Sequence, residues 1–134
     1  MATGSNNSNN RTASTQCSKT SSSRNKGEQF ERRAEQFLLG QGLKLRMRNY
    51  LCKLGEIDLV MSAGKTLVFV EVRYRKNNHF GGAAASVTPA KQQKLRRAAH
   101  CYLQAKGLNE SQQPCRFDLV ACEGNDVHWI PNAF

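Results

Sequence analysis

Apolar residues recur at helical spacing in residues 27–41, "GEQFERRAEQFLLGQ". Phe30, Ala34, Phe37 and Leu38 fall on one face, and Glu28, Glu31 and Glu35 follow one another on an adjoining stripe. Gly40 and Gly42 mark the end of that helix. "LKLRMRNY" then alternates apolar and basic residues, as a half-exposed strand does. Residues 55–76, "GEIDLVMSAGKTLVFVEVRYRK", read as two strands joined at Ala63-Gly64-Lys65. "KNNHFGGAAASV" is a loop. Thr88-Pro89 starts a second helix, with Thr88 as N-cap and Pro89 in the first turn. That helix runs to about Lys106, with Leu95, Ala98, Ala99 and Tyr102 on its core face. "CRFDLVACE" and "DVHWI" are two closing strands around a Gly124-Asn125 turn. The predicted order is α-β-β-β-α-β-β, with no internal repeat.

The strand periodicity raises a chemical question. Residues two apart in a strand share a face. Glu56 and Asp58 are expected on one face of their strand, with Ile57, Leu59 and Met61 on the other. On the next strand, Phe69, Glu71, Arg73 and Arg75 point one way, and Val68, Val70, Val72 and Tyr74 the other. Antiparallel pairing through the short turn brings Asp58 and Glu71 to the same end of the pair. Carboxylates in strands this apolar are paired or bind a metal. An acid pair with a guanidinium beside it suits Mg²⁺, which takes one or two carboxylates, waters and a substrate phosphate oxygen. The plainer reading is a cross-strand salt bridge on a solvated face. The Val68-Phe69-Val70-Glu71-Val72 context argues against a solvated strand.

Composition narrows the partners. The chain has 134 residues, 39% of them hydrophobic, which suits one modest core. Lys plus Arg number 20 against 10 for Asp plus Glu, so the net charge is +10. An excess of that size calls for an anionic partner, a nucleic acid first and an anionic membrane surface second. No run of about 18 apolar residues is present, so no spanning helix is expected. Residues 1–25 are mostly Ser, Asn and Thr and read as a disordered arm, and residues 26–134 as the folded domain. That arm lacks the apolar stretch of a signal peptide. The five cysteines form no C-x-x-C pair, which fits a reduced cytoplasmic setting with structural or incidental thiols. His79, His100 and His128 have no zinc-site spacing. No phosphate-binding glycine loop is found, and no Ser or Cys nucleophile has a recognisable partner.

Four stretches together make the chain resemble a known family. They are Gly27-Glu28-x-x-Glu31-x-x-Ala34, Gly55-Glu56-Ile57-Asp58-Leu59-Val60, Val68-Phe69-Val70-Glu71-Val72-Arg73 and Arg116-Phe117-Asp118-Leu119-Val120. Over about residues 24–134 the sequence resembles the YraN family. These are small bacterial proteins described as endonuclease-like, related to archaeal Holliday-junction resolvases and to the PD-(D/E)XK nuclease superfamily. The resemblance implies an α/β fold of restriction-endonuclease-like type, a mixed sheet flanked by helices. It implies Mg²⁺ or Mn²⁺ on Asp58 and Glu71, with the Val72 carbonyl as a further ligand. Glu31 matches the helix acid of the resolvase branch, and Glu28, one turn earlier, is its alternative. Arg73 stands where the superfamily usually has lysine. Arginine can stabilise charge or grip a phosphate, but it cannot serve as a general base. Junction-cutting relatives act as pairs, which implies a homodimer.

The basic residues extend this picture. Arg75, Lys76, Lys91, Lys94 and Arg97 lie in one neighbourhood of the chain and are expected to track a phosphate backbone. Lys91 could also supply an ammonium to the acids, although a solvated or phosphate-binding lysine is the simpler reading. Arg46 and Arg48 could extend the surface, and "NNHFGGAAAS" could close over substrate. Trp129 and Phe117 are expected to pack in the core. The leading expectation is a metal-dependent endonuclease that hydrolyses DNA, including branched or flapped DNA. The alternative is a nucleic-acid-binding protein that kept the nuclease fold with weak or lost chemistry. A third class binds a ribosome or another large assembly through the basic face.

Overall fold

The structure is a computed structural model that describes residues 22–75 and 87–134. The arm as far as residue 21, with Cys17, and the segment holding Lys76, His79 and the glycine-rich loop lie outside the described residues. The elements are α1 (Ser22–Gly40), β1 (Lys44–Cys52), β2 (Gly55–Ala63), β3 (Thr66–Arg75), α2 (Pro89–Ala105), β4 (Cys115–Glu123) and β5 (Asp126–Ile130). Their order is the expected α-β-β-β-α-β-β. Helix α1 begins at Ser22 rather than at 27, because its first polar turn carries no apolar face for periodicity to detect.

The five strands lie in the order β1-β2-β3-β4-β5. Strands β1, β2 and β3 form an antiparallel meander. Parallel neighbours need a long crossover. Helix α2 supplies it between β3 and β4, which pair in parallel. Strand β5 returns antiparallel to β4 through the Gly124-Asn125 turn. Thr88 caps α2 as the sequence suggests, its Oγ accepting from the Lys91 amide at 3.2 Å, with Pro89 next in line. Among the described residues no helix is long and apolar enough to cross a membrane.

Each face of the sheet carries one helix. Ala34 and Leu38 of α1 pack with Leu59, Met61, Val68, Val70 and Val120. Leu95, Ala98, Ala99 and Tyr102 of α2 pack with Ile57, Val60, Phe69 and Leu119. Trp129 and Phe117 are half-buried, one against each cluster. The valine-rich β3 is covered on both sides, which explains its near-continuous apolar sequence.

One expectation about faces does not hold. Ile57 was expected beside Leu59 and Met61, yet it packs on the α2 side while they pack on the α1 side. The partner strand changes sides at the same step. Arg48 reaches Glu35 of α1, and Tyr50 packs edge-on against Tyr102 of α2. Both strands therefore turn over between these pairs, at Asn49 and Asp58. Asn49 has φ 51°, a left-handed conformation that asparagine tolerates better than most residues. The period of two assumes an unbroken strand, and this one is broken.

The far end of the sheet is tied by one buried acid. Asp118 is 0% exposed. Its Oδ1 accepts from Arg116 Nε at 3.0 Å and from the Asn132 amide at 2.9 Å. Its Oδ2 accepts from Arg116 Nη2 at 3.2 Å and the Trp129 indole at 2.9 Å. Removing it leaves a guanidinium, an indole N–H and an amide without their acceptor. Asp118→Ala is expected to cost about 3–5 kcal/mol. Urea unfolding, followed by the fluorescence of the single Trp129, measures this. A change below about 1 kcal/mol would show that the network contributes little.

Candidate active site

The pairing of β2 with β3 runs from Ala63↔Thr66 to Leu59↔Val70, and the next rung is replaced. Asp58 Oδ2 accepts from the Val72 amide at 2.8 Å, so a side chain takes the place of a backbone partner. Here the two strands open like a fork. Asp58 sits in the fork, and Glu71, one residue before Val72, meets it through a side-chain hydrogen bond.

Both helices reach this point. Phe30 of α1 stacks on Tyr74 of β3, ring centroids 4.2 Å apart, which fixes the first turns of α1 over the fork. Glu31, the next residue, hydrogen-bonds to Asp58 and to Asn49. From the opposite side, α2 brings Lys91 to 3.9 Å from Glu71 Oε2. Gly55 allows α2 to lie that close. A Cβ there would stand 3.0 Å from the Lys94 carbonyl oxygen, too near for any side chain without a shift. Arg73 Nε lies 3.1 Å from Glu71 Oε2, an ion pair whose angle is not that of a hydrogen bond.

Crowded acids hold protons. Burial and the nearby Asp58 charge push Glu71 up to about 7, against the opposing pull of Lys91 and Arg73. Burial and Asp58 likewise push Glu31 up to about 7, while the Asn49 hydrogen bond works the other way. Burial raises Asp58 itself, and the Val72 amide holds it back. Glu56 adds negative charge to both Asp58 and Glu31.

This arrangement fits a hard divalent cation. All the donors are carboxylate oxygens, and ions of the Mg²⁺ type take oxygen ligands. A bound cation would do by its charge what the shared protons do near neutral pH. Among the described residues, no three or more His, Cys, Asp or Glu stand in a ready-made ligand set. The fit is therefore to an ion held by two carboxylates, with water and substrate oxygens completing its shell.

The structure thus brings together Glu31, Asp58, Glu71, Arg73 and Lys91, with Val72 bonded to Asp58 through its amide. Glu28 lies further out, in a hollow it shares with Glu31, Asn49, Leu51 and Glu56. Lys94 and Arg97 are exposed, at intervals of three residues from Lys91 along α2. Arg75 closes β3, and Lys76 is outside the described residues. Arg48 is more than half exposed and is also paired. It clasps the buried Glu35 with two bonds, 2.7 and 2.9 Å, because Glu35 follows Glu31 by one helical turn and faces the same strand. One residue went unrecognised in its role: Asn49 had no sequence signal beyond its residue type. Lys91 beside the acids is the second of the two readings the sequence offers, and the Thr88-Pro89 cap that fixes its turn places it there.

Fold and site together define a class: an α/β protein whose opened strand pair holds an acid cluster faced by an arginine and a lysine. The chain belongs to the family described as Uncharacterised protein family UPF0102, the YraN family, whose model matches residues 30–122. A UPF0102 protein of Aeromonas hydrophila subsp. hydrophila is 54% identical over 109 residues, covering 81% of this chain and 84% of that relative. One from Nitrosomonas eutropha is 54% identical over 115 residues, covering 85% and 97%. One from Colwellia psychrerythraea is 48% identical over 120 residues, covering 87% and 93%.

The raised acids make stability depend on pH, with a definite sign. Glu31 and Glu71 ordinarily titrate at 4.5 and in the fold at about 7. Between those values the folded state binds more protons than the unfolded chain. Their contribution to stability is present below about 4.5 and is lost as pH rises through about 7. In metal-free buffer the melting temperature is expected to fall from about pH 5 to about pH 7.5, and less steeply in Glu31→Gln and Glu71→Gln. Thermal unfolding across that range measures it. Identical slopes in wild type and both variants would contradict the assignment.

Proposed function

We propose that this protein is a metal-dependent nuclease that hydrolyses phosphodiester bonds in DNA, branched or flapped DNA included. The observation that carries this reading is the fork itself: Asp58 and Glu71 in contact beneath Arg73 and Lys91, where the sheet opens. An acid cluster in a protein of net charge +10 repels the polyanion that the rest of the surface attracts. A divalent cation turns that repulsion into a phosphate site.

Asp58 and Glu71 hold the ion, with Glu31 assisting from α1 and the Val72 carbonyl as a further oxygen. When bound, Mg²⁺ or Mn²⁺ polarises the phosphodiester and lowers the pKa of an attacking water. The Val72 amide fixes the Asp58 carboxylate, so its free oxygen has a set direction. Arg73 offers a permanently charged guanidinium for charge developing on phosphorus. Lys91 adds a second positive charge, a compact ammonium where Arg73 is a planar fork. It reaches the same Glu71 oxygen as Arg73, from the capped first turn of α2. Lys94 and Arg97 continue the positive charge along that helix as contacts to phosphates flanking the scissile bond, and Arg75 and Lys76 are assigned the same role on their charge and place in the sequence.

One observation favours a second reading, a nucleic-acid-binding protein on a nuclease fold. Arginine replaces the lysine usual after the second acid, which removes a proton carrier from that position. A cleavage assay separates the two. Labelled duplex, single-stranded, flap and four-way-junction DNA are incubated with Mg²⁺ or Mn²⁺. Cleavage is expected to need the metal and to fall at least about 100-fold in Asp58→Ala. Lys91→Ala is expected to reduce it about 10- to 100-fold while leaving DNA binding within about threefold. DNA binding with no cleavage of any substrate would transfer the assignment to the binding protein.

A further inference from the structure

A second hollow lies at the opposite end of the sheet from the acids. Ser62 is on β2, as Asp58 is, but four residues along, about 13 Å further down the strand. There it lines a cavity of about 690 Å³. Arg46 enters it from β1, Lys65 from the β2–β3 turn, and Tyr102 and Lys106 from the last turn and end of α2. Its volume is within the usual range for a small-molecule site.

The charge of the lining is one-sided. Arg46, Lys65 and Lys106 face the cavity, and none of its lining residues is acidic. Six of the ten carboxylates have partners elsewhere. Glu31, Asp58 and Glu71 form the fork, Glu35 binds Arg48, Glu110 binds His100, and Asp118 binds Arg116. Among the described residues, Arg46, Lys65 and Lys106 have no carboxylate partner within ion-pair distance.

These cations are also placed rather than free to sweep. Lys106 Nζ stands 5.7 Å from the centre of the Tyr102 ring, at cation–π distance. Arg46 is near enough to the same tyrosine to oppose the effect of burial on its hydroxyl. Gln113 Nε2 donates to the Lys65 carbonyl at 2.7 Å and to the Pro114 carbonyl at 3.0 Å, which pins the turn carrying Lys65. Three like charges held around one hollow repel each other until an anion enters. A phosphate monoester brings roughly 1.5 to 2 negative charges, closer to three cations than one carboxylate comes. The hollow is larger than a phosphate needs, and Leu45, Leu67 and Leu108 offer an apolar wall for an attached body.

We propose that this cavity is a second, non-catalytic site that binds the phosphate of a nucleotide, either free or at the end of a nucleic-acid strand. It shares no residue with the acid cluster, so it stands whether or not that cluster cleaves DNA. The test is fluorescence anisotropy of full-length protein in EDTA with two probes: mant-ADP and a short 5′-phosphorylated, dye-labelled oligonucleotide. The double variant Lys65→Glu/Lys106→Glu is compared with Lys53→Glu, which reverses a charge on the exposed β1–β2 turn. Amide NMR spectra verify that each variant is folded and, in the wild type, show whether the Ser62 and Lys65 signals shift on binding. Saturable binding that weakens at least about tenfold in the double variant, and less than about twofold in Lys53→Glu, is expected. Such binding by mant-ADP identifies a free nucleotide, and by the oligonucleotide alone a strand end. No saturable binding of either probe, or equal weakening in both variants, would overturn the proposal.

Discussion

The hydrogen bond from the Val72 amide to Asp58 Oδ2 stands where the next rung of the β2–β3 ladder would be. Much of the site depends on that substitution. A backbone rung would keep the strands closed and give the polar side chains no gap to meet in. With a carboxylate as the acceptor, the ladder ends, the amide stays paired, and the strands part. Burying an amide without a partner is costly, so the fork is stable only because an acid fills it. The group that opens the sheet is also the group at the centre of the proposed chemistry.

The sheet's two covered faces explain how the fork is reached from both sides. Helix α1 is held by the Phe30–Tyr74 stack and by Glu35 on Arg48, which sets Glu31 over Asp58. Helix α2 is the crossover between parallel strands, and Gly55 lets it come down onto the β1–β2 turn, which sets Lys91 beside Glu71. The electrostatics follow from this placement. Acids gather where burial and mutual repulsion raise their pKa, and cations are left in excess elsewhere. On the proposed function, a polyanion would be drawn to the body of the protein and kept from the fork until a cation occupied it. That opposition is costly to the metal-free fold, and sites tuned for chemistry commonly carry such a cost.

Much of this was legible in the sequence. The two helices announced themselves through Phe30, Ala34 and Leu38, and through Leu95, Ala98 and Tyr102, because amphipathic spacing reports which face is buried. Thr88-Pro89 gave the start of α2 by cap chemistry alone. Glu71 stood out because three valines and a phenylalanine surround it, and Asp58 because antiparallel counting brings it to the same end. What could not be read was whatever breaks a period or depends on tertiary placement. The side change at Asn49 and Asp58 needs a left-handed asparagine, which residue type only hints at. Ile57 was assigned to the wrong face for that reason. The clasp of Arg48 on Glu35 and the reach of Lys91 into the acids depend on where the helices dock. The basic hollow around Arg46, Lys65 and Lys106 joins residues from three separate elements, so no local pattern marks it.

The central claim is that the fork exchanges protons for a divalent cation. Calorimetric titration of the metal-free protein with MnCl₂ and MgCl₂ near pH 7 tests it most directly, run in two buffers of different ionisation enthalpy. The account predicts saturable binding at one site, with release of about one proton that appears as a buffer-dependent heat, and loss of both in Asp58→Asn. Absence of saturable binding, or binding that Asp58→Asn leaves intact, would contradict it.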